Sequence, residues 1–200
     1  MEVDNYLTIK EGAKGIYKEK GSKFIAISKH VESEDEFKLF QEEIKKEYYD
    51  ARHHCYAWRL GLEDEKFRSN DDGEPSGSAG KPILNQILSK ELFNSAVIVV
   101  RYFGGTKLGV SGLIAAYKSS TREALEESTL VKRFIYCTLE LNFKYPRLND
   151  IMRVVKEESL FIAKQEFELE CLLRIKIKKN DTQRVVTRLS LMHDVKLKQL

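Results

Sequence analysis

Three carboxylates, Asp71, Asp72 and Glu74, fall within four positions, and the stretch after them, Pro75-Ser76-Gly77-Ser78-Ala79-Gly80, offers little except backbone. Two kinds of chemistry would use such neighbours. The carboxylates could hold a Mg2+ ion while bare N–H groups of the loop hold a phosphate that shares it. Alternatively the carboxylates cap the loop's own N–H groups or pair with Arg101 and Lys107, and this is the preferred role for them. A second glycine stretch, V-V-R-Y-F-G-G-T-K-L-G from Val99 to Gly109, repeats the layout: buried strand, Gly104-Gly105, Lys107, Gly109, then a helix. Free N–H groups at a helix start favour an anion, and Arg101 and Lys107 would add full positive charge. Neither stretch contains G-x-x-x-x-G-K-[ST] or G-x-G-x-x-G. The candidate anion site is therefore Asp71, Asp72, Glu74, Ser76, Gly77, Ser78 and Gly80 from the first loop, with Arg101, Gly104, Gly105, Lys107 and Gly109 from the second. Glycines at strand–helix turns also serve backbone geometry alone, and that role stays open for each loop.

Arg52-His53-His54-Cys55 raises a metal site or a thiol nucleophile. On a strand His53 and Cys55 share one face with Ala57, and His54 shares the other with Tyr56 and Trp58. Two ligands do not complete a tetrahedral site, and no C-x-x-C or H-x-x-x-H supplies the rest. No metal ligand and no catalytic residue is assigned; His53 and Cys55 are expected at most to line a site. Cys55, Cys137 and Cys171 are odd in number and widely spaced, which fits reduced, buried thiols.

A basic stripe lies in E-C-L-L-R-I-K-I-K-K. Cys171, Leu173, Ile175 and Ile177 take one strand face, and Arg174, Lys176 and Lys178 take the other. Lys198, or Lys196, of the last strand is expected beside them. Such a face would meet RNA phosphates in a salt-sensitive way. Its outward positions carry no aromatic residue, which argues against base readout. A solvated polar face is the plainer alternative. Charge supports the polyanion: residues 1–135 hold 21 Lys and Arg against 22 Asp and Glu, whereas residues 136–200 hold 13 against 9.

The elements that must position these groups are legible. The 200 residues, 42% hydrophobic and 32% charged, suit one or two globular domains. No apolar run is long enough to span a bilayer, and the first residues show no signal-peptide pattern, so a cytoplasmic protein is expected. Strands are predicted at 15–20 and 23–31 around a Gly21-Ser22 turn. Ser33-Glu34-Asp35-Glu36 reads as a capping box opening a helix over 34–49. Strands at 52–60 and 66–70, a helix from Pro82 to about 90, a doubly buried strand at 96–100, a loop at 102–111 and a helix over 112–127 follow. The last third reads as strand 133–144, a helix from Pro146, strands 161–167 and 170–178, helix 181–192 and strand 195–199. That β-α-β-β-α-β order is ferredoxin-like.

R-H-H-C-Y-A-W-R at Arg52–Arg59, N-D-D-G-E-P-S-G-S-A-G-K-P-I-L at Asn70–Leu84 and the Val99–Gly109 stretch together closely resemble the YigZ/Impact family. The resemblance covers most of the first two thirds of the chain. It implies an α+β protein of two domains. The first, residues 1–134, would be a ribosomal-protein second-domain-like left-handed βαβ domain, similar to domain IV of elongation factor G. The second, residues 135–200, would be a ferredoxin-like domain also similar to one of that factor. Two departures stand out: Ser78 replaces the family's usual Thr, and Val110-Ser111-Gly112 replaces T-G-G or S-G-G. Eukaryotic relatives add an RWD domain that contacts the activator of a starvation-response kinase, and this chain is expected to lack it.

The leading expectation is a non-catalytic, translation-associated regulatory protein that binds RNA or the ribosome, with Arg174, Lys176, Lys178 and Lys198 as its nucleic-acid contacts and no cofactor. The alternative is an enzyme or binding protein for a phosphorylated or nucleotide ligand held by the two glycine loops, with Mg2+.

Overall fold

A computed structural model describes residues 4–62 and 64–200. The chain divides into two compact units, Leu7–Lys132 and a second that gathers Arg133–Leu200 with the described N-terminal residues up to Tyr6. In chain order the elements are β1 (Asn5–Glu11), β2 (Lys14–Glu19), β3 (Ser22–His30), α1 (Glu34–Glu47), β4 (His53–Leu60), β5 (Lys66–Asn70), α2 (Gly80–Ser89), β6 (Ser95–Tyr102), α3 (Gly109–Glu127), β7 (Thr129–Phe134), β8 (Tyr136–Lys144), α4 (Leu148–Glu157), β9 (Phe161–Phe167), β10 (Glu170–Lys178), α5 (Thr182–Ser190) and β11 (Val195–Gln199). Among the described residues no helix is long and apolar enough to cross a membrane.

In the N-terminal unit an antiparallel sheet of order β2-β3-β6-β4-β5 carries helices on both faces. The run Ala96–Val100 lies in the centre of β6, and its residues alternate between two cores. Val97 and Val99 pack with α2 and α3 through Ile83, Ile87, Leu113, Ala116 and Tyr117. Ala96, Ile98 and Val100 pack with Phe37, Phe40 and Ile44 of α1. A strand buried on both faces needs apolar residues at every position, which is what the sequence supplies. Ser33 caps α1 by accepting from Glu36 N–H at 3.2 Å, but the Glu36 carboxylate reaches back to Glu32 N–H at 2.8 Å, one residue beyond the expected capping-box partner.

The C-terminal unit has strand order β11-β8-β10-β9, all antiparallel. Leu139, Leu141, Phe143, Leu173, Ile175 and Ile177 bury one face of this sheet against Ile151, Val154 and Val155 of α4 and Val185 and Leu189 of α5. Both helices lie on that face, so the other is open.

Several boundaries differ from the expectations. α3 starts at Gly109, three residues early, because Gly109 takes φ +70° and lets the chain turn into the helix sooner. Val110 and Ser111 therefore sit in the first turn of a helix and not in a loop. The single strand expected over 133–144 is two, β7 and β8, separated at Ile135. Pro146 lies in a 3-10 turn, Tyr145–Arg147, ahead of α4. β1 was not expected; it forms a two-stranded sheet with β7.

Candidate functional site

The first glycine loop leaves β5 and re-enters the fold at α2, and its three carboxylates hold it shut. Asp71 accepts three backbone N–H groups, from Gly77 at 2.8 Å, Ala79 at 2.9 Å and Gly80 at 2.8 Å. Burial pushes its carboxyl up, but the amides of Gly77, Gly80 and Ala79 outweigh it and leave Asp71 below its ordinary range. Asp72 accepts the His54 N–H at 2.6 Å, past the point where β5 stops pairing with β4, and its carbonyl accepts from His53 Nδ1 at 2.7 Å. A carbonyl can only accept, so His53 Nδ1 carries the proton. Glu74, with a side chain 3% exposed, takes Arg101 Nη1 at 2.6 and 2.8 Å and the Tyr117 hydroxyl at 2.7 Å.

These contacts answer what the charge cluster is for. The N–H groups of Gly77 and Gly80, which the sequence offers to a ligand anion, donate to Asp71. Both oxygens of Asp71 and of Glu74 are committed to donors of this chain, which leaves one oxygen of Asp72, too few for the set to fit a Mg2+ ion. Among the described residues no group of three or more His, Cys, Asp or Glu side chains is placed to hold a metal. Ser78 is buried and its hydroxyl donates to the Pro75 carbonyl at 2.6 Å, while Ser76 is exposed.

Glu74 also joins the two glycine loops. Arg101 lies at the end of β6, 7% exposed, with its guanidinium 5.4 Å from the Phe24 ring and 5.6 Å from the Phe103 ring. Its Nε is buried without a hydrogen-bond partner. The second loop, residues 103–108, is held at one end by Gly104, whose N–H donates to Ser22 Oγ at 3.0 Å. A Cβ on Gly104 would lie 1.9 Å from the Gly21 carbonyl carbon, so only glycine allows that approach. Gly105, Lys107 and Gly109 are exposed.

Cys55 is fully buried, its sulfur 3.0 Å from the Asp71 carbonyl oxygen and 3.2 Å from the Tyr117 hydroxyl. Burial pushes its thiol far above the ordinary range. Glu74, Asp72 and Asp71 add to this against a smaller opposite pull from Tyr117. A thiol held neutral is a poor nucleophile. His53 and Cys55 thus support the first loop rather than line an open cleft.

The second candidate region is the open face of the C-terminal sheet. Arg174, Lys176 and Lys178 alternate with the buried residues of β10, and Lys198 of β11 stands across β8 from Arg174, with Glu140 between them. Arg174 Nε donates to Glu140 at 2.7 Å, and this, with the Asn142 amide and the nearby charge of Lys198, holds the Glu140 carboxyl below its usual range. Arg174 is therefore partly neutralised. Lys176 and Lys178 meet no carboxylate at ion-pair distance among the described residues, and Lys178 Nζ lies 4.0 Å from the centre of the Phe134 ring.

The expectation that this face lacks aromatics is wrong. β10 itself has none, but the strands on either side supply Tyr136, opposite Lys178, and Phe161, opposite Lys176. Their rings meet edge to face at 6.0 Å and 83°. Tyr136 was readable as an outward position from the alternation of β8. Phe161 was not: a bulge in the β9–β10 pairing leaves Ala163 without a partner and places Phe161 on the same face as Lys164.

The Impact N-terminal domain family matches residues 20–125. IMPACT family member YvyE of Bacillus subtilis is 37% identical over 161 residues, covering 80% of this chain and 74% of that protein. IMPACT family member YigZ of Escherichia coli is 34% identical over 158 residues, covering 78% of each. A crystal structure described as that of a hypothetical protein superimposes over the whole chain and 98% of its own, with TM-score 0.75 and 28% identity. A shared family domain and two relatives aligned over about four fifths of the chain place this protein in the IMPACT family.

Proposed function

We propose that the chain is a non-catalytic, cytosolic, translation-associated protein that binds RNA or the ribosome through the open face of its C-terminal sheet. The observation that carries this reading is the basic row of exposed Lys176 and half-buried Lys178, extended by Arg174, Lys196 and Lys198, on a sheet whose helices all lie on the opposite side. A net positive surface without covering structure attracts phosphate and releases counterions on binding. The ferredoxin-like strand order and the family's resemblance to elongation-factor domains support the translational setting. The buried, neutral Cys55 thiol and the Asp71 and Glu74 carboxylates, tied up by donors of the chain itself, support a non-catalytic role.

The test is binding of purified protein to ribosomes and to a structured RNA at low and moderate salt. Salt-sensitive binding that weakens in Lys176→Ala/Lys178→Ala, with the salt slope reduced by roughly 0.7–0.9 per lost phosphate contact, is the expected result. Equal binding by that variant would remove the face from the reading.

One observation keeps an anion ligand as a second reading. α3 begins without a side-chain cap and without an acidic residue in its first turn, beside exposed Lys107, whereas Asp71 fills the corresponding end of α2. Orthophosphate or a nucleotide would then raise the melting temperature, and Lys107→Ala would lose the effect. No rise with either ligand would end this reading.

A further inference from the structure

We infer that the open face of the C-terminal sheet takes single-stranded RNA, with a base stacked on Phe161 and Tyr136 and the adjoining phosphates on Lys176 and Lys178. The inference rests on the proposed RNA binding and narrows it to a strand type and a mode of contact.

Phe161 of β9 and Tyr136 of β8 flank β10 and stand opposite Lys176 and Lys178. Adjacent strands are about 4.8 Å apart, so two rings and two ammonium groups fall within a patch the size of one or two nucleotides. Phe161 is 61% exposed and Tyr136 39% exposed, a costly arrangement for two neighbouring aromatics unless something covers them. An edge-to-face pair does not bury the rings against each other as parallel stacking would, which leaves ring surface open to a base. Phe134, with Lys178 over its ring, extends the apolar surface and is itself 43% exposed.

The patch is also concave. Tyr136, Phe161, Lys176 and Lys178 line a depression of about 90 Å3. Its two acidic residues would repel phosphate if they were free, but both are paired. Glu158 is held by Arg184 and by Arg188, and Asp181 by Arg184 at 2.9 Å. Aromatic rings interleaved with unpaired lysines recognise unpaired bases, because every base has a face to stack and each carries a phosphate. A duplex keeps its bases stacked on one another and would use only the lysines.

The experiment compares a fluorescent single-stranded RNA oligomer with the same oligomer annealed to its complement, using the full chain across a salt series. Phe161→Ala should weaken single-strand binding by about 5- to 150-fold, the range for one base-stacking aromatic, and leave the salt slope and duplex affinity unchanged. Tyr136→Ala should act the same way, and Phe161→Trp should restore the affinity. Lys176→Ala/Lys178→Ala should weaken both RNAs and flatten the slope. If Phe161→Ala binds the single strand as tightly as the parent while the lysine variant loses binding, stacking is overturned and the basic face stands. If the parent chain binds neither RNA, both readings fall. Phe161 is exposed, so its replacement does not threaten the fold.

Discussion

Asp71→Ala tests whether the carboxylate cluster exists to hold its own loop. The substitution removes the acceptor for three N–H groups, from Gly77, Ala79 and Gly80, two of them at the start of α2. A hydrogen bond to a charged group contributes about 1.5–3 kcal/mol, and loss of a helix cap costs about 0.5–2 kcal/mol. The three bonds share one carboxylate that water partly reaches, so they do not add in full, and a loss of about 3 kcal/mol is expected. With a urea slope near 2 kcal/mol/M, that moves the unfolding midpoint down by about 1.5 M. The single tryptophan, Trp58, is buried in the core of the N-terminal unit, so its fluorescence reports that unit. Acid supplies a second check. The Asp71 carboxyl titrates below its unfolded value of about 3.9, so its contribution is complete above that pH and drains away as pH falls through the folded value. The stability gap between the parent and Asp71→Asn should therefore close in acid. A gap under about 0.5 kcal/mol for Asp71→Ala at neutral pH, within the range of ordinary surface substitutions, would refute the capping account. So would an Asp71→Asn gap that widens on acidification.

Three further outcomes follow from the same network. Glu74→Met strands the buried Arg101 charge and should cost about 3–5 kcal/mol, whereas Glu74→Met/Arg101→Met should be less destabilised; a urea double-mutant cycle read at Trp58 measures this. Gly104→Ala should cost about 2–3 kcal/mol, because its Cβ would meet the Gly21 backbone. Gly105→Ala should cost only about 1–2 kcal/mol, because its φ is positive but the space around it is empty; thermal melts compare the two. In a thiol titration of the native protein, half-buried Cys137 should react first, with Cys55 and Cys171 protected until denaturant is added.

Much of the fold is written in local pattern. The apolar run Ala96–Val100 requires a strand covered on both faces, Ser33 marks the start of α1, and alternation along β10 separates Leu173, Ile175 and Ile177 from Arg174, Lys176 and Lys178. Each is a period or a cap set by neighbours within a few residues, so one sequence suffices to read it. The strand order β11-β8-β10-β9 is not such a feature, since it depends on which distant segments find one another.

The two candidate sites divide along the same line. The residue types were evident in both: carboxylates beside bare backbone in one, lysines in a row in the other. What each group touches was decided by the tertiary structure. Asp71 meets the amides of Gly77, Ala79 and Gly80 because the loop folds back on itself, which turns a candidate ligand cradle into an internal clasp. Phe161 joins the lysines because the β9–β10 ladder skips Ala163. Strict alternation along β9 would have put Phe161 on the face opposite Lys164. A bulge is a property of two strands together, and neither strand's sequence alone contains it.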